Sequence, residues 1–178
     1  MKRVVITGLG TINPLGHTVE DTWQGLLAGM CGIDKITRYD TKNRKVTVAG
    51  EVKDYSEEVY FSKKEAKHLD RFLQFANIAA KEALKDSGYQ GLQNPYRIGS
   101  VIASGIGGLE TIANENNRVH QENNYDRVTP YFIPMSITNM AAADVSKLFN
   151  AKGVSESVAT ACASSTNAIG HAFRLIRS

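Results

Sequence analysis

Apolar residues along this chain fall into two kinds of run. Short runs read as strands: Arg3-Val4-Val5-Ile6-Thr7, expected to be buried on both faces, the stretch from Arg97 to Ser104, expected to be buried, and the stretch from Gly153 to Thr160. Between them, apolar residues recur at helical spacing. Thr18-Val19-Glu20-Asp21 has the form of a capping box, and Trp23, Leu26, Leu27 and Met30 make one face behind it, with Gly32 as the stop. Ser62-Lys63-Lys64-Glu65 is a cleaner box, and it predicts a helix running to about Asp86 with Gly88 as its stop. The face of that helix (Leu69, Phe72, Ala76, Ala79, Ala80, Ala83, Leu84) is rich in alanine, which permits close packing against a sheet or another helix.

Farther along, Thr129-Pro130-Tyr131-Phe132-Ile133-Pro134 reads as an apolar turn. Ser136 is placed to cap a helix through Leu148, which residues 150–153 close. Beyond Cys162, the residues Ala168, Ile169, Ala172, Phe173 and Ile176 share one helical face. Two stretches lack a period. Residues 33–61 predict short strand pieces and loops, and the asparagine-rich residues 113–128 predict a mobile surface loop. Strands alternating with helices make an α/β architecture, with a largely parallel or mixed sheet flanked by helices, the economical arrangement.

Composition narrows the function. The 178 residues suit one domain or part of a larger one, and a chain of that length buries roughly 70% of its unfolded surface. A net charge of +3 is mild, and no dense run of lysine and arginine interleaved with aromatics points to nucleic acid. Two cysteines, Cys31 and Cys162, make neither a disulfide framework nor a paired metal motif, so no metal site is expected and a reducing compartment fits. The N-terminal run is cut short by Gly8 and lacks the form of a signal peptide, and no apolar run reaches membrane-spanning length. A cytoplasmic location is the expectation.

Two glycine-rich turns invite phosphate-binding readings, and both fail on their residues. Gly8-Leu9-Gly10 is followed by Asn13 where a dinucleotide fold needs a third glycine, and Pro14 stands where the helix should start. Gly105-Ile106-Gly107-Gly108 lacks the lysine and hydroxyl residue that end a P-loop, so its glycines are read as allowing close passage of backbone or substrate.

Cys162 carries the most chemistry. It stands where a strand gives way to a helix, among residues small enough for a substrate carbonyl to approach. A helix N-terminus there would stabilise a thiolate through free N–H groups and the helix dipole. From the residues alone two readings stand, a nucleophile or an inert packing thiol. The lysines Lys63, Lys64 and Lys67 likewise make either a solvated helix surface or a docking patch.

Taken together, the segments 4–10 with 14–16, Asp70-Arg71-Phe72, Ser104 to Gly108, Pro130 to Pro134 and Thr160-Ala161-Cys162-Ala163-Ser164 resemble the β-ketoacyl-acyl-carrier-protein synthases, condensing enzymes of the thiolase-like fold. The matches keep the family's order along the whole chain, and Ile106 in the glycine turn is similar to the type II branch. The resemblance implies the N-terminal half of a layered αβαβα fold over residues 1–178, with the C-terminal half outside this chain. It implies that Cys162 takes an acyl chain from a carrier-protein thioester, and that the acyl-enzyme then condenses with decarboxylating malonyl-carrier protein in fatty acid biosynthesis. Ile106 and Phe132 would line the acyl pocket. Lys63, Lys64 and Lys67 would dock the acidic acyl carrier protein. A homodimer, no cofactor, no metal, no nucleic acid and no membrane partner complete the expectation.

The family's cysteine works with two histidines and a lysine that lie well downstream, beyond this chain. His171 does not replace them: nine residues along a helix place it about half a turn out of phase and roughly 13 Å from the sulfur. His17, His68 and His120 match no catalytic motif and are assigned to surface or packing. A thiolase or polyketide ketosynthase remains the rival within the superfamily, and a non-catalytic interaction module is the rival outside it.

Overall fold

The structure, a computed structural model, describes residues 2–91 and 94–178. Its elements in chain order are α1 (Val19–Leu27), β1 (Asp34–Lys35), β2 (Val48–Ala49), α2 (Lys63–Ala66), α3 (Arg71–Asp86), β3 (Ser100–Ala103), α4 (Leu109–Glu122), α5 (Phe132–Ser136), α6 (Met140–Leu148), β4 (Ser155–Val158) and α7 (Ser164–Arg177). These group into two compact units, one comprising residues 1–6, 57–77 and 89–178 and the other residues 7–56 and 78–88.

The larger unit is built on a parallel pair. β3 and β4 pair in register from Ser100 opposite Ser155 to Ala103 opposite Val158. Successive strand residues point to opposite faces, and the contacts follow that rule. The Ser155 hydroxyl meets Ser146 of α6 at 3.2 Å, whereas the next residue, Glu156, meets His171 of α7 at 3.2 Å. The two helices therefore cover opposite faces of the pair, a helix–sheet–helix layering of the expected kind. On the α6 side, Ala141, Ala142 and Val145 are buried, and the buried Ser100 hydroxyl donates to the Ala142 carbonyl at 2.7 Å. Small residues let α6 approach this closely.

Several expectations are corrected. Residues 3–7 form no β-ladder among the described residues, and Ile6 is 82% exposed. An apolar run becomes a buried strand only when neighbours cover it. The helix predicted from Ser62 to Asp86 is two helices. Ser62 does make a complete capping box with Glu65, yet α2 ends after one turn, and Asp70 starts the chain afresh by accepting the Phe72 N–H at 3.1 Å. The buried line on α3 is Leu73, Gln74, Asn77 and Ile78 instead of the predicted alanine face.

Residues 109–122, mostly read as loop, form the helix α4. No side chain of its own caps that helix. The Thr111 N–H is taken instead by Asp70, forty-one residues earlier, at 2.9 Å. The helix expected behind a Ser136 cap begins instead at Met140, and Ser136 ends a separate short helix, α5, with its hydroxyl turned back to the Phe132 carbonyl at 2.6 Å.

In the smaller unit, Thr18 caps α1 through the Asp21 N–H at 3.1 Å as expected. That helix stops at Gly29, which takes φ +66°, and not at Gly32. Its predicted apolar face is largely exposed, including Trp23, Leu26, Leu27 and Met30. β1 and β2 form the expected short antiparallel pieces. The Thr37 N–H, foremost among its contacts, holds the Glu51 carboxyl below the ordinary carboxylate range.

The predicted alanine face of α3 serves the extended segment at the N-terminus: a Cβ on Gly10 would lie 1.9 Å from the Ala79 carbonyl. Leu9 and Thr11 then donate their N–H groups to Asp86 and Glu82, both at 2.8 Å. Donors committed to carboxylates do not cradle phosphate, which agrees with the failed dinucleotide motif.

Candidate active site

Both strands of the parallel pair end at the same edge, and each runs into a turn and then a helix. Crevices at the carboxyl ends of parallel strands are where α/β folds bind ligands. After β4, residues 161–163 form a single 3-10 turn that holds Cys162, and α7 begins at Ser164. After β3, the turn Ser104 to Gly108 holds Ile106, and α4 begins at Leu109. The Ser104 N–H reaches the Val158 carbonyl at 3.3 Å, and a Cβ on Gly105 would lie 3.8 Å from the Ala161 carbonyl. The turns bearing Cys162 and Ile106 are thus neighbours.

The cysteine turn is strained. Ala161 takes φ +49°, a left-handed conformation that costs a non-glycine residue about 1–2 kcal/mol. Three bonds hold it there. The Ser164 hydroxyl accepts the Thr160 N–H at 2.8 Å and donates to the Ala161 carbonyl at 2.6 Å, while the Asn167 amide donates to the Thr160 hydroxyl at 2.7 Å. Cys162 is exposed. Of the predicted apolar face of α7, Ala168 is buried and Ala172 half-buried, whereas Ile169 is 71% exposed.

The glycine turn is held from outside. Gly107 takes φ +82°, donates its N–H to the Ser104 hydroxyl at 2.9 Å, and has no room for a side chain because a Cβ would lie 2.4 Å from the Ser136 carbonyl. The Gly108 N–H donates to that same carbonyl at 2.9 Å. This seats the turn on the end of α5, the helix that Phe132 opens. Phe132 is half-buried and Ile106 exposed. Asp70 completes the frame. Its buried carboxylate accepts both the N–H and the hydroxyl of Thr111, at 2.9 and 2.6 Å.

The basic segment is exposed, as a docking surface requires. Lys63 lies 3.7 Å from Glu58, whereas Lys64 and Lys67 have no ion-pair partner among the described residues. Lys67 borders a cavity of about 450 Å³ together with His68, Asn114, Arg118 and Tyr131. Cys162, Ile106 and Phe132 are not among its lining residues.

Three of the four histidines have partners other than the sulfur. His171 faces Glu156, His17 faces the Lys53 carbonyl at 2.7 Å, and His68 stacks on Tyr131 with ring centres 3.7 Å apart. His120 is exposed on α4. No group of ligating side chains that could hold a metal occurs among the described residues, and no helix there is long and apolar enough to cross a membrane.

Sequence reasoning passed over Ser164 and Asn167 as functional residues, although a serine two places after a cysteine at a strand–helix junction is a local signal for a capping hydroxyl. The role of Asp70, which accepts the Thr111 N–H, carries no sequence signal, because its partner lies forty-one residues away.

The site is thus an exposed cysteine at the carboxyl edge of a parallel pair layered between helices, and comparison with known proteins assigns its class. Residues 1–178 match the family described as Beta-ketoacyl synthase, N-terminal domain, and the chain belongs to that family, with a thiolase-like fold of which this is the N-terminal half. It is 46% identical over 177 residues to the 3-oxoacyl-[acyl-carrier-protein] synthase 2 of Staphylococcus aureus (strain COL), covering 99% of this chain and 42% of that protein. The 3-oxoacyl-[acyl-carrier-protein] synthase 2 of Synechocystis sp. is 42% identical over the same length.

Among solved structures, a β-ketoacyl synthase from Burkholderia phymatum STM815 aligns with a TM-score of 0.77 at 25% identity, over 99% of this chain and 44% of that one. The ketosynthase solved in complex with its type II polyketide acyl-carrier protein aligns at 0.82 and 22% identity, over 99% of this chain and 47% of that one, and speaks for the fold alone. The chain spans less than half the length of each of these relatives.

Proposed function

We propose that this chain carries the acyl-accepting half of a 3-oxoacyl-[acyl-carrier-protein] synthase, with Cys162 as the nucleophile. The observation behind it is the position of Cys162 on a strained turn at the carboxyl edge of the parallel pair, open to a substrate and beside the turn of Ile106.

In the first step the Cys162 thiolate adds to the carbonyl of an acyl thioester. The bond to the carrier sulfur breaks, the carrier leaves as a thiol, and the acyl chain stays on Cys162. Small neighbours, Ala161 and Ala163, leave the carbonyl a path to the sulfur. In the second step malonyl-carrier protein loses carbon dioxide, and its carbanion attacks the acyl-enzyme. A carbon–carbon bond forms, the thiolate of Cys162 is released, and the product is a 3-oxoacyl chain two carbons longer. By resemblance, two histidines and a lysine outside this chain drive that second step.

Ile106 and Phe132 supply apolar wall to the acyl chain in this reading, and Lys63, Lys64 and Lys67 meet the acidic carrier. The protein acts in fatty acid biosynthesis in the cytoplasm, as a homodimer and without a cofactor. The 42–46% identity to fatty-acid synthases supports this over a polyketide enzyme, and the basic segment supports it over a thiolase, which handles coenzyme A thioesters.

The experiment incubates the purified chain with acyl- and malonyl-carrier protein. The chain gains an acyl group on Cys162 and on its own yields no 3-oxoacyl-carrier product. Product from this chain alone would overturn the division of labour, and no acyl group on Cys162 would overturn the assignment.

A further inference from the structure

Of the residues around the cysteine turn, one side chain touches both sides of its strained point. Ser164 is buried, and its hydroxyl has both ends committed: it accepts the Thr160 N–H at 2.8 Å and donates to the Ala161 carbonyl at 2.6 Å. The two bonds bracket Ala161, the residue at φ +49°. A backbone in that conformation relaxes unless its surroundings over-determine it. Asn167 adds a brace one helical turn farther on, through the Thr160 hydroxyl. The hydroxyl of Ser164 spends its one donor on the Ala161 carbonyl, so it has no proton to donate to the thiol or a substrate. Its action on Cys162 runs through the backbone.

We propose that Ser164 is the positioning residue of the nucleophile: its hydroxyl clamps the strained turn at Ala161 and so sets the direction and exposure of the Cys162 sulfur. The proposal rests on the reading of Cys162 as the acyl acceptor. Removing the clamp lets Ala161 relax and swings the next side chain. A misplacement of about 1 Å at a reacting atom can cost on the order of 100-fold in rate.

The test measures alkylation of Cys162 by iodoacetamide in the full-length protein across pH 6–9, read peptide by peptide, with exposed Cys31 as the control on the same molecule. Transfer from acyl-carrier protein is measured alongside. In S164A the Cys162 rate is expected to fall about 10- to 100-fold with Cys31 unchanged, and kcat for acylation to fall with little change in KM. S164T retains the hydroxyl and is expected to restore the rate to within a few-fold. N167A is the second variant, which keeps the test decisive if S164A does not fold, and it is expected to slow Cys162 about threefold.

Wild-type reactivity of Cys162 in folded S164A overturns the proposal, as does wild-type reactivity in N167A where S164A does not fold. S164T reacting no faster than folded S164A overturns it as well. The two readings fail separately. Absence of any acyl adduct on wild-type Cys162, with the alkylation differences intact, sinks the acyl-acceptor assignment and leaves the clamp standing.

Discussion

β3 and β4 lie side by side, run in the same direction, and each delivers the chain through a left-handed residue into a helix. The two turns are nevertheless held by different means. The turn after β3 uses a glycine at its left-handed position and, besides the Ser104 hydroxyl within it, is fastened by residues far away in sequence, the Ser136 carbonyl and, through Thr111, the Asp70 carboxylate. The turn after β4 puts alanine in the left-handed position and is fastened by Ser164, the first residue of its own helix. On the proposed roles, Ile106 as a pocket wall tolerates being located by the general packing of the unit. Cys162 as a nucleophile needs tighter placement, which the proposed clamp two residues away would supply with few intermediaries.

This contrast breaks or sharpens under specific substitutions. Gly108→Ala should do the most damage, since its Cβ would meet the Met135 carbonyl at 2.1 Å and Asp70 Oδ2 at 3.0 Å. A loss of about 2–3 kcal/mol in chemical denaturation is expected. Gly105→Ala, whose Cβ meets only ordinary contacts, should be nearly silent in the same assay. Equal losses would remove the distinction between a seated turn and a free one.

Asp70→Asn comes next. It replaces a carboxylate acceptor that serves Thr111 and Phe72, and a buried N–H deprived of its partner costs about 1–3 kcal/mol. Amide exchange should quicken at residues 107–112 and stay slow at 155–158. Uniform quickening would mean that the glycine turn is not fastened separately.

Ala161→Gly is expected to raise stability by up to about 1 kcal/mol, because glycine takes the left-handed conformation at no steric cost, while it slows alkylation of Cys162. Faster alkylation in this variant would contradict the view that strain at Ala161 is held for the benefit of the thiol. The smallest effect concerns docking. Lys64→Glu should raise KM for acyl-carrier protein a few-fold at low salt, fade as salt screens it, and leave alkylation of Cys162 unchanged.

The difference between the turns also explains what could be read from sequence. The cysteine turn was legible because its parts are consecutive: a β-branched run, a cysteine, small residues, then an amphipathic helix. The start of α4 was not, because its cap is Asp70 and its buried positions are widely spaced, with Thr111 and Val119 the buried pair. A run of asparagines between those points reads as loop, and a contact forty-one residues away overrides it. Residues 3–7 show the reverse error. Their apolar pattern is that of a buried strand, yet among the described residues no partner strand pairs with them. The Ser62 capping box was read correctly as a helix start, and what sequence could not show was that Asp70 would be drawn out of the helix by Thr111.

The central claim is that Cys162 accepts the acyl chain, and intact mass tests it most directly. The full-length protein and its C162A variant are incubated with acyl-carrier protein, without malonyl-carrier, and weighed under denaturing conditions. The account predicts one acyl group per wild-type chain, located on the peptide containing Cys162, and none on C162A. An unmodified wild-type protein whose Cys162 alkylates freely, or an acyl group retained by C162A, would contradict it.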